Sequence, residues 1–318
     1  MALILALAVQ GMQMLLVLAA APLLTGVVRK LKARLTRRQG ASVLQPYRDL
    51  LRLMRKEVVL AENASWLFRV APYAIFATTW VAAALVPTFA RGLYFSWTAD
   101  LIAIVALLGS ARFFLALAGL DVGTSFGGIG SSREVMIASF AEPAMLLTVF
   151  SLALVAGSTQ LATVAAMMGS DHVGLRVSLG MALFAMIMVA IAENGRVPVD
   201  NPATHLELTM VHEAMVLEYS GRHLALIELA ASLKLLVYCS LIACIFLPWG
   251  VASADAGPAG YLLGALAYFG KLAVLAALLA VFETAIAKMR VFRVPQFLGA
   301  ALMLSLLGTL LLFVSGTL

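Results

Sequence analysis

The sequence has 318 residues, of which 63% are hydrophobic and 12% are charged, with a formal net charge of +6. Its mean hydropathy is +1.01, whereas apolar residues make up about half of an ordinary soluble domain. A soluble protein of this composition would leave much apolar surface uncovered, so the sequence predicts an integral membrane protein. The composition excludes a soluble enzyme, a nucleic-acid-binding domain and a disordered regulator.

Eight apolar runs are each about 20 residues or more in length, which is enough to cross a bilayer as a helix. They lie near residues 3–28, 70–89, 101–120, 135–157, 175–192, 223–247, 260–282 and 297–315. The runs are continuously apolar rather than alternating, which favours helices over barrel strands. Glycine and proline mark the predicted connections, among them Gly123, Gly127, Gly128, Gly130, Pro198 and Pro202. We therefore predict an all-α polytopic membrane protein that forms a single integral membrane domain over residues 1–318.

The basic residues orient these spans. Of the 22 lysines and arginines, 17 lie in the connections after spans one, three, five and seven, two lie after spans two and four, and three lie inside spans. Cytoplasmic connections of membrane proteins are enriched in lysine and arginine. The distribution therefore predicts that the odd-numbered connections lie inside the cell and that both termini lie outside.

The first inside connection contains a predicted amphipathic helix over residues 39–60. Its apolar residues recur at helical spacing: Leu44, Tyr47, Leu51, Met54 and Val58. Its basic residues occupy the rest of the helical wheel: Arg48, Arg52, Arg55 and Lys56. This pattern predicts a helix at the membrane surface. Such a helix serves either as an anchor to lipid headgroups or as a docking surface for a peripheral partner.

The second inside connection, residues 193–221, is acidic. It holds Arg196 and five carboxylates: Glu193, Asp200, Glu207, Glu213 and Glu218. Two prolines predict that its first part is extended or turned. From about Ala203 the pattern predicts a helix that ends at Gly221.

On that predicted helix, Glu213 shares an apolar stripe with Leu206, Met210 and Leu217. Burial along such a stripe would favour the protonated form of the carboxyl group. A solvated acidic loop needs no such arrangement, so the stripe indicates a role in proton transfer.

Five ionisable residues fall inside the predicted spans: Arg112, Glu142, Glu228, Lys234 and Lys271. Each costs about 3 kcal/mol at mid-bilayer unless it is paired or hydrated, so such residues commonly serve function. Arg112 and Glu142 are predicted to pair, either to fix helix packing or to transfer protons. The glutamates lie about 9–12 Å below the inner boundary and the lysines near the midplane, at about 1.5 Å per residue. The outer halves of the spans are nearly free of charge, which predicts a polar passage from the cytoplasm that continues sideways into another subunit.

The two cysteines, Cys239 and Cys244, lie in one apolar run and form no C-x-x-C motif. They give no disulfide framework and no iron–sulfur or zinc ligand set. We find no motif of a catalytic centre, and we expect no cofactor or metal in this chain.

Three motifs carry a resemblance to a known family. Residues 44–57 read LQPYRDLLRLMRKE, residues 192–200 read AENGRVPVD and residues 218–221 read EYSG. They resemble the LQP-x-x-D-x-x-K-L-x-x-K-E surface helix, the AE-x-x-R-x-P-F-D loop and the EYSG motif of one family. This family comprises the heel subunit of respiratory complex I (NADH dehydrogenase subunit 1-like) and its relatives in membrane-bound nickel–iron hydrogenases.

Other segments favour one branch of that family. Residues 38–45, RQGASVLQ, are shorter than the glycine-rich complex I pattern. Residues 113–123, FFLALAGLDVG, and residues 130–134, GSSRE, are similar to hydrogenases of the formate hydrogenlyase type. Residues 201–205, NPATH, replace the acidic run that usually follows the family's loop. The resemblance covers nearly the whole chain and favours the hydrogenase branch.

The resemblance implies a non-catalytic membrane-anchor and proton-path subunit of a multisubunit oxidoreductase in a bacterial-type inner membrane. Hydrophilic partner subunits on the cytoplasmic side would carry the nickel–iron centre and iron–sulfur clusters, and antiporter-like membrane subunits would adjoin. The proton path would use the in-span charges together with Glu193, Glu207, Glu213 and Glu218. The basic surface helix and Arg196 would dock the partner.

Two alternatives remain open. The first is a quinone-site subunit of an NADH–quinone oxidoreductase, in which a quinone binds beside this chain. The second is a stand-alone ion transporter. The scarcity of charge in the outer halves of the spans leaves a transporter without an outward path.

Overall fold

The computed structural model describes residues 2–90, 94–170, 176–200, 210–252 and 256–316. These residues form eleven α-helices and no β-strand. The helices are α1 (Ala2–Leu35), α2 (Gln45–Met54), α3 (Trp66–Leu85), α4 (Leu101–Asp121), α5 (Ser125–Ala156), α6 (Leu161–Met168), α7 (Val177–Glu193), α8 (His212–Val216), α9 (Gly221–Phe246), α10 (Pro258–Ala285) and α11 (Val294–Gly316). The chain is an all-α, multi-pass membrane protein.

All eight predicted spans form helices. Seven of these helices, α1, α3, α4, α5, α9, α10 and α11, are long and apolar enough to cross a membrane. The eighth, α7, has 17 residues and extends about 25 Å at 1.5 Å per residue. This length is slightly less than the hydrocarbon thickness of about 30 Å, so Glu193 at its end lies near the depth at which the bilayer becomes polar.

Helix α5 begins ten residues earlier than the predicted span. The prediction that Gly127, Gly128 and Gly130 mark a connection is wrong, because all three lie inside α5. Thr124 caps this helix and accepts a hydrogen bond from the Gly127 amide. A side chain at Gly130 would come within 2.9 Å of the Ala214 Cβ atom. Gly130 therefore allows α8 to pack closely against the helix, and none of the three glycines breaks it.

The long helices pack around α9 and α5. Helix α9 contacts α1, α2, α3 and α7, while α5 contacts α4, α7, α8 and α11. Helix α4 lies between α3 and α5. The ends of α4, α5, α7 and α9 on the predicted inner side thus surround one region of the core.

The surface helix α2 occupies the middle of the predicted 39–60 segment. It starts beside Pro46, which suits a first helical turn because its missing amide proton needs no partner there. The chain beyond α2 is held by Ser220, whose hydroxyl group bonds to both the amide and the carbonyl of Val59. These bonds fix the segment five residues beyond the end of α2.

Helix α8 is shorter than the helix predicted from Ala203. Leu206 and Glu207 lie outside the described residues, and α8 ends at Val216. Leu217 is exposed, while the buried residues are Met210, Val211, Ala214, Met215 and Val216. The contact with the glycine face of α5 therefore decides which side of α8 is buried. Gly221, predicted to end this helix, instead begins α9.

Candidate functional site

A buried ionic cluster joins four helices. Arg112 on α4 has a side chain that is 5% exposed and faces three carboxylates. Its Nε atom lies 3.6 Å from Glu134 Oε1, and its Nη1 atom lies 3.4 Å from Glu142 Oε1, both on α5. Its Nη2 group donates to Glu193 at the end of α7. The predicted pair of Arg112 and Glu142 is therefore confirmed as part of a larger cluster.

Lys234 on α9 completes the cluster, since its Nζ atom lies 3.3 Å from Glu193 Oε2. We call Arg112, Glu134, Glu142, Glu193 and Lys234 the ionic cluster. With three carboxylates and two cations it carries a formal charge of −1, which one bound proton neutralises. Charge imbalance is costly in a low-dielectric interior.

The cluster is buried at one end and open at the other. The Glu193 side chain is 1% exposed and that of Glu142 is 44% exposed. The Glu142 side chain therefore reaches the surface of the described chain, whereas that of Glu193 is enclosed.

A small cavity of about 30 Å³ lies against the cluster. Arg112, Glu134, Lys234 and His212 line it together with apolar side chains of α3, α4 and α9. Among the described residues, the Nε and Nη1 atoms of Arg112 have no hydrogen-bond partner. The walls of this cavity are mostly apolar, and its volume has room for about one water molecule beside the charged side chains.

His212 begins α8, outside the membrane-spanning helices. Burial lowers the pKa of its imidazole group, and the negative charge of Glu134 opposes that effect. The neutral imidazole therefore predominates near neutral pH. A neutral histidine both accepts and donates a proton, through its two ring nitrogen atoms.

A second ionic group fixes the start of the 193–221 connection to α10. The Nζ atom of Lys32, on α1, lies 2.6 Å from Glu283 Oε2, and the Nη1 atom of Arg196 lies 3.4 Å from Glu283 Oε1. Lys288, beyond α10, lies 2.8 Å from Asp200. Arg196, predicted to dock a partner, lies partly buried against α10. Glu283 is not among the predicted site residues, because its place at the start of a basic connection gives no signal for this role.

The EYSG motif joins the two inside connections. Tyr219 stacks on Phe68 with ring centroids 3.9 Å apart, and its hydroxyl group donates to the Phe68 carbonyl. Burial raises the pKa of this hydroxyl group, so it stays a donor. A side chain at Gly221 would overlap the carbonyl oxygen of Glu57, and Gly221 has a φ of +55°. Tyr219, Ser220 and Gly221 thus hold the connection after α2 against the start of α9.

The remaining predicted proton-path residues lie outside the ionic cluster. Glu228 on α9 is exposed and lines a cleft beneath α2. Lys271 on α10 donates to the carbonyl groups of Leu247 and Trp249, just beyond the end of α9. This is the end of α9 that is predicted to face outward.

The three remaining carboxylates of the 193–221 connection differ in how far they are buried. Glu213 is partly buried on α8 and Glu218 is exposed after it. Glu207 lies outside the described residues.

The cleft beneath α2 has a volume of about 270 Å³. Residues of α1, α2 and α9 line it, including the charged side chains of Arg29, Asp49, Arg52 and Glu228. It lies on the predicted inner side, between the surface helix and the membrane-spanning bundle.

The predicted docking residues lie on the exposed surface of α2 and of the segment just after it, which we call the outer face of α2, and Arg52 also reaches the cleft. Arg48, Arg52, Arg55 and Lys56 are all exposed. Leu44, Leu51 and Met54 are also exposed. Arg52 lies 2.9 Å from Asp49, a surface pair that contributes about 0.5 kcal/mol. This face is both cationic and apolar.

Glu134 belongs to the ionic cluster but not to the predicted site. It lies in the GSSRE segment, and the glycines before it were interpreted as a connection. That interpretation placed Glu134 outside a span, where a carboxylate needs no special explanation. Two helical turns separate Glu134 from Glu142, so a longer α5 would have put both on neighbouring faces.

Comparison with known proteins identifies the family. The sequence pattern described as NADH dehydrogenase matches residues 8–314. The chain belongs to the NADH dehydrogenase family. The resemblance drawn from the three motifs is therefore confirmed.

Several curated relatives extend over most of the chain. It is 34% identical over 289 residues to formate hydrogenlyase subunit 4 of Escherichia coli, covering 91% of this chain and 92% of that protein. It is 34% identical to hydrogenase-4 component C of the same organism, over 76% of this chain and 75% of that protein. It is 28% identical to NADH-ubiquinone oxidoreductase chain 1 of Triticum aestivum, over 71% of this chain and 72% of that protein. The hydrogenase relatives are thus more similar than this complex I relative.

A solved structure has the same fold. A chain of the membrane-bound sulfane sulfur reductase, an archaeal respiratory membrane complex, superposes with a TM-score of 0.77. The match covers 95% of this chain and 99% of that chain at 17% sequence identity. At this identity the match establishes the fold alone.

Proposed function

We propose that this chain is the membrane-anchor and proton-path subunit of a multisubunit hydrogenase similar to formate hydrogenlyase. The ionic cluster is the observation that carries the proposal. It places five ionisable side chains from four helices in contact near the predicted inner side, where isolated charges are costly. The relatives that share most of the chain's length are named as hydrogenase components, which supports this branch over others.

In this proposal the chain works within an assembly in a bacterial inner membrane. Hydrophilic subunits bind its cytoplasmic face and carry the nickel–iron centre and iron–sulfur clusters, and antiporter-like subunits lie beside it. The described residues of this chain contain no group of three or more His, Cys, Asp or Glu side chains suited to a metal. The metal centres supply the redox chemistry, and this chain supplies an anchor and groups that bind protons.

The route starts at the 193–221 connection. Glu193 lies at the end of α7, where that connection begins. A change of charge in the docked hydrophilic subunits therefore acts on a carboxylate that two cations already contact. A more negative environment favours protonation of the cluster, and its reversal favours release. We propose that protons pass among Glu134, Glu193 and Glu142, with Lys234 and Arg112 balancing their charge. Lys271 has no place in this route, because its amine lies at the other end of α9.

The test is a purification through a tag on this chain, followed by reconstitution into liposomes. We expect co-purified subunits with nickel–iron hydrogenase activity, and proton movement that accompanies hydrogen evolution. Glu193→Gln should reduce the ratio of protons moved to hydrogen formed. Glu62→Gln is the matched control, because Glu62 is an exposed carboxylate between α2 and α3.

Two results would overturn the proposal. If the purified assembly contains no hydrogenase subunits, the proposal that this chain belongs to a hydrogenase is wrong. An unchanged proton ratio in Glu193→Gln, equal to that of Glu62→Gln, would remove the proton path.

The cleft beneath α2 favours a second candidate function, a quinone-binding role. It opens between the surface helix and the bundle and has a volume of about 270 Å³, close to the lower end of ligand sites, about 300 Å³. Quinone-dependent electron transfer by the purified assembly, lowered by Leu50→Trp in the cleft wall, would support this role. Ion movement by the purified chain alone in liposomes would instead support a stand-alone transporter.

A further inference from the structure

His212 lies where the 193–221 connection meets the ionic cluster. Helix α8, which it begins, packs against α4 and α5. The residue two positions earlier, Met210, accepts a hydrogen bond of 2.7 Å from Arg133 of α5 through its carbonyl oxygen. The histidine is therefore held at the edge of the bundle by contacts on both sides of the chain.

The cavity gives His212 access to the cluster. Its imidazole group shares the walls of the 30 Å³ cavity with Glu134, Arg112 and Lys234. No other histidine among the described residues lines this cavity. The residue as a whole is only partly buried, at the start of α8.

We infer that His212 is the proton-entry residue of the ionic cluster, and this inference rests on the proposed proton path. One ring nitrogen takes a proton from the aqueous side, and the other releases its proton to water in the cavity. That water passes a proton to the Glu134 carboxylate, and the imidazole returns to its neutral form. One proton enters the cluster, and no electron or other group is transferred.

Charged groups face His212 from each element around it. Glu134 of α5 and Glu228 of α9 favour its protonated form, as does Asp200 from the start of the connection. Lys234 of α9 opposes protonation, and Arg112 of α4 adds a positive charge on the cavity wall. Burial is the largest effect and lowers the pKa. A proton taken up by His212 is thus readily passed on.

The experiment uses the purified assembly in liposomes and compares His212→Gln with His223→Gln. Glutamine keeps a hydrogen-bonding side chain but does not titrate. His223 is the matched control, because it lies between the rings of Tyr73 and Tyr219 and does not line the cavity. The measured quantity is the ratio of protons moved to hydrogen formed, from pH 5 to pH 8, a window that spans an ordinary histidine pKa of about 6.5.

We expect His212→Gln to assemble, to keep its hydrogen evolution in detergent, and to lower the proton ratio about tenfold, a modest loss for a proton-transfer group. The wild-type ratio should show a step on the acid side of pH 6.5, because burial lowers the pKa of His212. His212→Gln should lose that step and His223→Gln should keep it. A merely structural role would lower yield without removing the step.

The outcomes separate this inference from the proposed function. If Glu193→Gln lowers the ratio while His212→Gln keeps the full ratio and the acid step, the entry role is wrong and the path stands. If neither variant changes the ratio, the path itself is wrong. Should His212→Gln fail to assemble, His212→Asn provides the same comparison with a shorter amide, and normal coupling in that variant overturns the inference.

Discussion

Glu193 is shared between two cations, because Arg112 of α4 binds one of its carboxylate oxygens and Lys234 of α9 lies 3.3 Å from the other. The carboxylate thus links two membrane-spanning helices at the point where α7 ends. Removing either cation leaves Glu193 with one partner, whereas removing Glu193 leaves two buried cations close together. Substitutions at these three positions are therefore expected to differ in their effects.

Lys234→Met should keep assembly and lose proton coupling. Glu193 retains Arg112, so no buried charge is left without a partner, and the expected loss of stability is about 1–2 kcal/mol, below the cost of breaking a pair outright. The positive charge on α9 that balances these carboxylates is removed at nearly constant volume. The ratio of protons moved to hydrogen formed should therefore fall while hydrogen evolution in detergent persists.

Lys271→Met is the control for that variant. Lys271 is buried on α10, donates to the Leu247 carbonyl at 2.6 Å and lies 5.5 Å from the Trp249 ring centroid. Loss of the Lys271 amine should make the segment after α9 more mobile, which faster proteolysis there would show. Proton coupling should stay intact. Equal loss of proton coupling in Lys234→Met and Lys271→Met would show that Lys271 also belongs to the proton path.

Arg112→Leu should prevent stable assembly. Three carboxylates would then face one remaining cation, Lys234, and breaking a buried pair in this way costs about 3–5 kcal/mol. Arg112→Lys should recover part of the yield, because it restores the charge without the planar guanidinium that reaches several carboxylates. The yield of monodisperse protein and its thermal denaturation in detergent measure both effects. Normal yield of Arg112→Leu would show that the cluster does not stabilise the fold.

Much of this architecture follows from the sequence because the bilayer imposes simple rules. Run length alone predicts the spans, since each backbone polar group must bond within its own helix in lipid. The pairing of Arg112 with Glu142 follows from the cost of isolated charges in apolar spans. These rules act on single segments, so one sequence is enough to apply them.

Features that depend on contacts between segments were not predictable in the same way. The start of α5 depends on α8 packing onto Gly130, and the short α8 depends on that same contact. The position of Lys271 depends on the turn after α9, which supplies the carbonyl groups. Glu283 gains its role because Lys32 lies on a helix distant in sequence. In each case, tertiary packing overrides the local pattern.

Gly221→Ala should destabilise the link between the two inside connections. Gly221 has a φ of +55°, and an added Cβ atom would overlap the Glu57 carbonyl. A strained backbone of this kind costs about 1–3 kcal/mol. We expect a lower melting temperature and faster proteolysis near residues 57–61 in detergent.

Gly180→Ala is the matched control for Gly221→Ala. Gly180 lies in α7, and an added Cβ atom there meets no neighbour within 4 Å. Alanine should be neutral or slightly stabilising at this position, because it favours helix over glycine. Equal stability of the two variants would show that the EYSG motif does not hold the connections together.

The outer face of α2 should dock the hydrophilic arm of the assembly. Arg48, Leu51 and Arg52 are exposed, and the ion pair of Arg52 with Asp49 is a weak surface pair. Reversing both charges with Arg48→Glu and Arg52→Glu should therefore leave the membrane domain folded. The arm should be lost, because like charges then oppose the acidic surface that the basic helix is expected to bind.

The control reverses Arg37 and Arg38, which are also exposed and basic but precede α2. Co-purification of the arm at increasing salt measures docking, since screening weakens exposed charge pairs. We expect the wild-type assembly to lose its arm gradually with salt, the α2 variant to lack it even at low salt, and the control to behave as wild type. An α2 variant that retains the arm at every salt concentration would show that this helix binds lipid headgroups instead. Loss of the arm in both variants would mean that total positive charge, and not the face of α2, governs docking.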